Sequence, residues 1–359
     1  MSCTYDLQNR KLILKRQYEK YKYRKKIFII VLIPLSLFII GLAVAFGSAD
    51  IAFIDVYKTI FRKIIPTIAS DEGAINIIIW KLRLPRVVMG LLAGMALGSS
   101  GAVMQVVLRN PLADPYMLGI ASAAGFGASL AIILGIGVIG GSYLIIGNAF
   151  LFSIVSALII LVLSGRKGSS PEKMVLIGLA LLFFFQALTT IIQYFGNSEA
   201  VKAAVFWTVG DLGKASWKNI RIATPIVIIG TLLLIWKSGD LNVMNTGDAC
   251  AKSLGVNVKK IRIFAMLVST VMVATIVSFT GTIGFIGLVA PHLVRMAIGT
   301  DNKILVPTSG IIGALLLVVS DTVARTIMSP IILPVGSVTS FLGVPLLLYL
   351  VLRKKGETL

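Results

Sequence analysis

Between Asp114 and Arg166 lie 51 consecutive residues without a charged side chain. A helix rises about 1.5 Å per residue, so roughly 20 apolar residues cross the hydrocarbon core of a bilayer. The run is long enough for two crossings, with the Gly-rich stretch from Gly135 to Ser142 as the turn between them. Ile27 to Gly47 adds 21 uncharged residues, and the interval between Arg262 and Arg295 adds 32. Backbone groups in lipid must be satisfied within their own segment, so such runs read as helices and the chain as an all-α membrane protein.

The remaining spans follow from the charges: Val87 to Leu108, Met174 to Ser198, a short Ile222 to Trp236, Ile304 to Ser320 and Thr326 to Leu352. The interval from Arg262 to Arg295 holds one full span and a shorter return, which makes about ten transmembrane helices. The chain then divides into a basic cytoplasmic arm (1–26), a transmembrane domain (27–355) and a cytoplasmic tail (356–359). Nine Lys and Arg between Arg10 and Lys26 suit a partly helical arm resting on anionic headgroups. The first span reads as a retained helix, because it is long and no small-residue cleavage site leads from it into a soluble domain. With both termini inside, 23 basic residues are cytoplasmic and 11 are not, although Ser48 to Arg86 contributes six to the outer side. That bias orients membrane proteins.

The 34 Lys and Arg against 15 Asp and Glu give a net charge of +19. In a soluble protein this would suggest nucleic acid; here the charges lie between apolar spans and form no aromatic-basic surface, so membrane lipid is the expected partner. Cys3 and Cys250 offer no disulfide framework, and His292 has no Cys or acidic cluster that would make a metal site. Catalytic groupings are missing, so the chain does not read as an enzyme. Gly247-Asp-Ala-Cys-Ala-Lys252-Ser253 imitates a phosphate-binding loop but is one residue short and has Ala251 where the second Gly belongs. The spans, as drawn, hold no buried acid for ion coupling, and Asp321 and Arg325 fall at a helix end. Transport without an energy source in the chain implies a partner that supplies it. The segment from Asn242 to Arg262 is the best docking surface for that partner: Asp248 to Leu254 can form a short helix ended by Gly255.

A shift of 180 residues lays Gly101 on Gly281, Pro111 on Pro291 and Gly119 on Gly299. The first copy starts after the first span and the second after the sixth, so the copies cross in opposite directions, as in an inverted internal repeat. Glycines at close spacing (Gly90, Gly94 and Gly98; Gly281, Gly284 and Gly287) let membrane helices approach closely.

Several longer motifs carry a resemblance. Arg83-Leu-Pro-Arg86, Gly101-Ala-Val-Met-Gln105, Arg109-Asn-Pro-Leu-Ala-Asp-Pro115 and Leu118-Gly119 are followed by Ala251 to Gly255 and by Gly281-Thr-Ile-Gly-Phe-Ile-Gly-Leu-Val-Ala-Pro-His292 with Arg295. Asp321-Thr-Val-Ala-Arg325, Leu333-Pro-Val-Gly336 and Gly343-Val-Pro345 complete the set. In this order they resemble the permease subunits of bacterial ABC importers for iron-siderophores, heme and vitamin B12, the FecCD type, over about Ile27 to Lys355.

The resemblance implies a type II ABC importer permease fold in the cell membrane. Its partners would be a second permease copy (the same chain or a close paralogue), two ATPase subunits inside and a substrate-binding protein outside. No cofactor is implied on the chain itself; ATP would sit on the ATPase subunits. Carried over by position, Arg83, Arg86 and Arg325 resemble arginines that meet acidic residues of the binding protein. Asn110 and Leu112 resemble an inner gate, whose second element falls on Ser170 and Pro171. Asp248, Ala251, Leu254 and Gly255 match the loop that couples to the ATPase. The segment from Glu199 to Gly213, with Trp207, resembles a short outer helix lining the pathway. An iron-siderophore is the expected substrate, with heme or cobalamin as alternatives; a secondary transporter or a structural membrane subunit is the reading outside this class.

Overall fold

Each apolar run becomes a helix in the computed structural model, which describes residues 2–47, 51–64, 73–165 and 170–352. The expected tail over 356–359 and the basic residues Arg353, Lys354 and Lys355 lie outside them. The arm and the first apolar run form one continuous helix, α1 (Ser2–Ala45), followed by α2 (Phe53–Ile64). A single turn, α3 (Ala74–Ile77), passes through a π-helical stretch (Ile78–Arg83) into α4 (Leu84–Val107). The 3₁₀ turn Pro115–Leu118 leads into α5 (Ile120–Leu134), and α6 (Leu144–Gly165) returns. Next come α7 (Pro171–Phe195), the short α8 (Ser198–Thr208) and α9 (Trp217–Trp236). Two short helices, α10 (Ser238–Met244) and α11 (Asp248–Ser253), precede α12 (Val258–Thr280). The bundle closes with α13 (Ile286–Ile298), α14 (Asn302–Thr326) and α15 (Val335–Leu352). Among the described residues seven helices are long and apolar enough to cross a membrane, and α5, α13 and α15 supply shorter apolar segments.

Helix starts are written locally. Ser170, Asn197, Ser216 and Asn257 each accept, through a side-chain oxygen, the N–H three residues on, at 3.4, 2.8, 3.3 and 3.1 Å. Glycine ends α5 as expected: Gly135 takes φ +67 and opens the turn to α6.

Two boundaries differ most from the sequence reading. α14 continues past Ser320 to Thr326 and takes Asp321 and Arg325 into the helix. Asp321 is 2% exposed, so the expectation that no span holds a buried acid is corrected. Guanidinium partners neutralise the carboxylate, and the helix can run on through the charged pair. α15 begins only at Val335, because Pro330 and Pro334 interrupt the apolar run. The 180-residue register also pairs unlike local structure. Gly101 lies inside α4 whereas Gly281 follows α12 at φ +70, and Pro111 lies in a turn whereas Pro291 is inside α13. Gly119 and Gly299 share a positive φ, +68 and +83, but Gly119 precedes α5 in the left-handed region whereas Gly299 ends α13 with ψ −163.

α4 is the axis of the bundle, buried at every position from Ala96 to Leu108. It packs against α14, α12, α13 and α9. A methyl group added at Gly94 would collide with the Gly313 carbonyl of α14, and one at Gly101 with the Gly287 carbonyl of α13. Backbone therefore meets backbone along this seam, the close packing that small residues permit. At 24 residues α4 is about 36 Å long. Arg83, Arg86 and Asp321 lie at one end of it, and Arg109, Asp248 and Arg262 at the other.

Candidate functional site

At the Asp321 end, three guanidinium groups gather around one carboxylate and the last turn of α1. Arg86 donates from Nε to both Asp321 oxygens at 3.0 Å and from Nη2 at 2.8 Å. Arg325, one helical turn along α14, donates from Nε to Asp321 at 3.0 Å. The final carbonyls of α1, which have no helical partner, accept the rest. Arg325 reaches Ala43 O at 3.0 Å and Phe46 O at 3.1 Å, while Arg83 reaches Val44 O at 2.9 Å and Ala45 O. The Arg86 and Arg325 side chains are only 11% and 8% exposed. All three arginines matched to binding-protein docking are thus brought together, and all three are engaged within the chain. Sequence reasoning missed Asp321 as the partner of Arg86 and Arg325; the i, i+4 spacing of Asp321 and Arg325 was the available signal.

The opposite end is organised by Asp248. Arg109 Nη2 lies 2.7 Å and Arg262 Nη2 3.0 Å from its carboxylate. Arg262 is 1% exposed and also donates from Nε to Val107 O at 3.2 Å. The start of α11 is therefore bolted to the ends of α4 and α12. Beyond it Ala251 is buried, Leu254 is 64% exposed, and Gly255 turns the chain at φ +84. The Gly255 and Val256 N–H groups close the helix on Lys252 O and Ala251 O at 3.0 Å each.

Asn110 and Leu112 occupy the turn after α4. Arg109 takes the left-handed region at φ +49, Asn110 N–H donates to Gln105 O at 3.1 Å, and Asn110 Oδ1 accepts from Leu112 N–H at 2.9 Å. This side-chain-to-backbone turn leaves Leu112 37% exposed. Ser170 and Pro171 form the cap and first position of α7, the usual places for these residue types. Among the described residues no hydrogen bond joins them to Asn110 or Leu112.

Midway along the bundle the helical pattern fails. α13 begins beside Leu97 and Gly101, in the middle of α4. Residues Gly281 to Phe285 therefore cross the interior without regular structure. Thr282 Oγ1 donates to Thr208 O, the Tyr116 hydroxyl accepts from Ile283 N–H, and Asp211 N–H donates to Thr280 O at 2.7 Å. Phe285 sits at φ +68, unusual for a bulky residue and costing on the order of 1 kcal/mol. Thr282 and Gly284 line a cavity of about 550 Å³ with Thr208 and Val209 at the end of α8, and with Ser337, Ser340 and Phe341 of α15. Among the described residues its lining carries no charge. Trp207 is 9% exposed beside it on α8. The sequence reading took Gly281 and Gly284 for helix-packing glycines within a motif; the structure places both outside any helix, and two glycines inside an apolar run were the signal for a break.

Residues 33–353 match the FecCD transport family. The chain is 40% identical over 351 residues to a "putative ABC transporter permease protein" of Methanocaldococcus jannaschii, covering 95% of this chain and 98% of that one. It is 35% identical over 324 residues to the hemin transport system permease protein HmuU of Yersinia pestis, covering 89% and 95%. Its structure superposes with a TM-score of 0.80 on "an inward-facing conformation of a putative metal-chelate type ABC transporter", at 26% identity over 91% of this chain and 99% of that one.

Proposed function

The chain belongs to the FecCD transport family, ABC permeases for iron chelates, heme and cobalamin, and from that premise we propose that it carries an iron-siderophore-type chelate inward. It is a multi-pass membrane transport component. The observation that carries the reading is the irregular segment Gly281 to Phe285 beside an uncharged cavity. Non-helical backbone at membrane depth is tolerated only when buried in protein or lining a water-filled space. Small hydroxyls and one aromatic ring offer a bulky chelate passage without a tight, specific grip. Heme and cobalamin fit the same chemistry and remain the alternative cargoes.

In this reading both termini are cytoplasmic, as the charge bias favours. The Asp248 end faces two ATPase subunits, which bind the ATP; the permease itself holds no cofactor. α11, with Asp248, Ala251, Leu254 and Gly255, is the coupling element: its base is locked to the bundle and its apolar tip is free to seat in a partner. Asn110 and Leu112, with Ser170 and Pro171, close the pathway against a second permease copy. The Asp321 end receives the binding protein, drawn by three arginines clustered with one acid, which Arg86 and Arg325 share.

The test is ATP-driven uptake in proteoliposomes holding the permease with its ATPase and binding protein. A ferric siderophore, hemin and cyanocobalamin would be offered in turn. Ser340→Trp should fill the cavity and abolish uptake while the complex still assembles. Full uptake with the cavity filled would overturn the assignment of the pathway, and preference for hemin or cobalamin would overturn the choice of cargo.

A further inference from the structure

The Asp248 end also holds a polar cavity of about 500 Å³, separate from the uncharged one. Gln105 reaches it from the end of α4, Thr246 from the turn between α10 and α11, Arg295 from the last turn of α13 and Asn302 from the first turn of α14. Arg295 Nη2 donates to Gln105 Oε1 at 2.6 Å. Among the described residues Gln105 Nε2 is left without a partner, and so are both amide atoms of Asn302, Nδ2 and Oδ1. Gln105 is 4% exposed and Asn302 is fully buried.

An unsatisfied buried polar atom is costly, so three on residues that line one cavity mark a place built to be occupied. The charge pattern says by what. Among the described residues no carboxylate lines the cavity, and two arginines do. Arg109 is committed to Asp248, whereas Arg295 meets only the neutral Gln105 and makes no ion pair among the described residues.

We propose that this cavity binds a phosphate-class anion, held by the Arg295 guanidinium and by the amides of Gln105 and Asn302. Planar guanidinium donors suit phosphate oxygens. Asn302 Oδ1 needs a donor in return, which favours a group carrying a hydroxyl: hydrogen phosphate, or the hydroxylated phosphate headgroup of phosphatidylglycerol, over sulfate. The occupant would tie α4, α13 and α14 together directly beneath the turn that leads into α11.

The test uses the full chain in phosphatidylcholine nanodiscs, with thermal unfolding followed during titration with sodium phosphate, and with sodium sulfate at matched ionic strength. Both salts stabilise proteins non-specifically by exclusion from the surface, and that part persists in any variant. The expected result is a saturable rise in Tm that is larger for phosphate and is lost in Arg295→Gln with Asn302→Leu. Thr300→Glu, at an exposed position on the rim, places a like charge at the mouth without touching the interior and should weaken the midpoint severalfold. Saturation in phosphatidylcholine assigns the free anion. A higher Tm in phosphatidylglycerol nanodiscs, with added phosphate then without effect, assigns the headgroup. Titrations that are superimposable for the natural chain and all variants in both lipids would overturn the proposal and leave water as the occupant.

Discussion

Arg86 and Asp321, 235 positions apart in the chain, form a two-pronged ion pair with Nε–oxygen distances of 3.0 Å and an Nη2–oxygen distance of 2.8 Å. The pair joins the start of α4 to the end of α14, and Arg325 completes it from the next turn of α14. Planar, bidentate geometry makes this the strong kind of charged contact, and its burial makes each partner depend on the other.

Replacing Asp321 with Leu should therefore cost about 3–5 kcal/mol, because two guanidinium groups would remain buried without their counter-ion. Unfolding in detergent would measure it. The double change Arg86→Leu with Asp321→Leu should lose less than the sum of the single changes, and strict additivity would show that the pair is not coupled.

Docking at this end is best tested on the partner. Reversing Arg83 or Arg325 would unpick the last turn of α1, and reversing Arg86 would break its pair with Asp321, along with any docking surface. Three arginines against one acid still leave a positive field, so affinity for the binding protein should fall as ionic strength rises from about 0.05 to 0.5 M. Salt-independent affinity would remove the electrostatic role.

Leu254 separates assembly from folding. Because it is exposed, Leu254→Asp should change the stability of the isolated permease by less than about 0.5 kcal/mol. Co-purification of the ATPase and coupled ATP hydrolysis should nevertheless be lost. Full coupling in this variant would show that α11 is not the contact.

Leu112→Cys should crosslink across the permease dimer when the pathway is closed, block uptake, and crosslink less when ATP opens it. Cys250 is exposed and would give background bonds, so Cys3→Ser and Cys250→Ser belong in the starting chain. If an active dimer never crosslinks in any nucleotide state, Leu112 is not at the gate.

Asp301, the cap of α14, supplies a pH dependence. Partial burial pushes its carboxyl up, but Asn242 donating at 2.7 Å, the Lys303 N–H at 3.1 Å and the charges of Lys25 and Lys303 outweigh this and hold it below the ordinary range. A depressed carboxyl contributes stability above the unfolded value of about 3.9 and loses it as pH falls through the folded value. Asn caps a helix about as well as Asp, so Asp301→Asn isolates the charge. The Tm gap between the two chains should be constant above about pH 5 and close below about pH 4. A gap that does not change with pH would mean the charge contributes nothing.

The number of apolar helices, the turn over Gly135 to Ser142, and α11 with its Gly255 terminus were all legible in the sequence. Each depends on local quantities: the length of an uncharged run, a capping side chain, or the freedom of glycine at positive φ. The same local reading ended a span at Ser320, since a charge looks like the edge of a membrane until its partner is known. Only the tertiary structure supplied the partner, Arg86, from the far end of the chain. It likewise decided that Asp248 serves two arginines, that Gln105, Arg295 and Asn302 share one cavity, and that Gly281 to Phe285 lies midway along the bundle. These meetings are set by how closely helices can approach, as where Gly94 faces Gly313 and Gly101 faces Gly287. Hydropathy read along the chain reports which segments are buried in the membrane, but packing between segments fixes which side chains face one another.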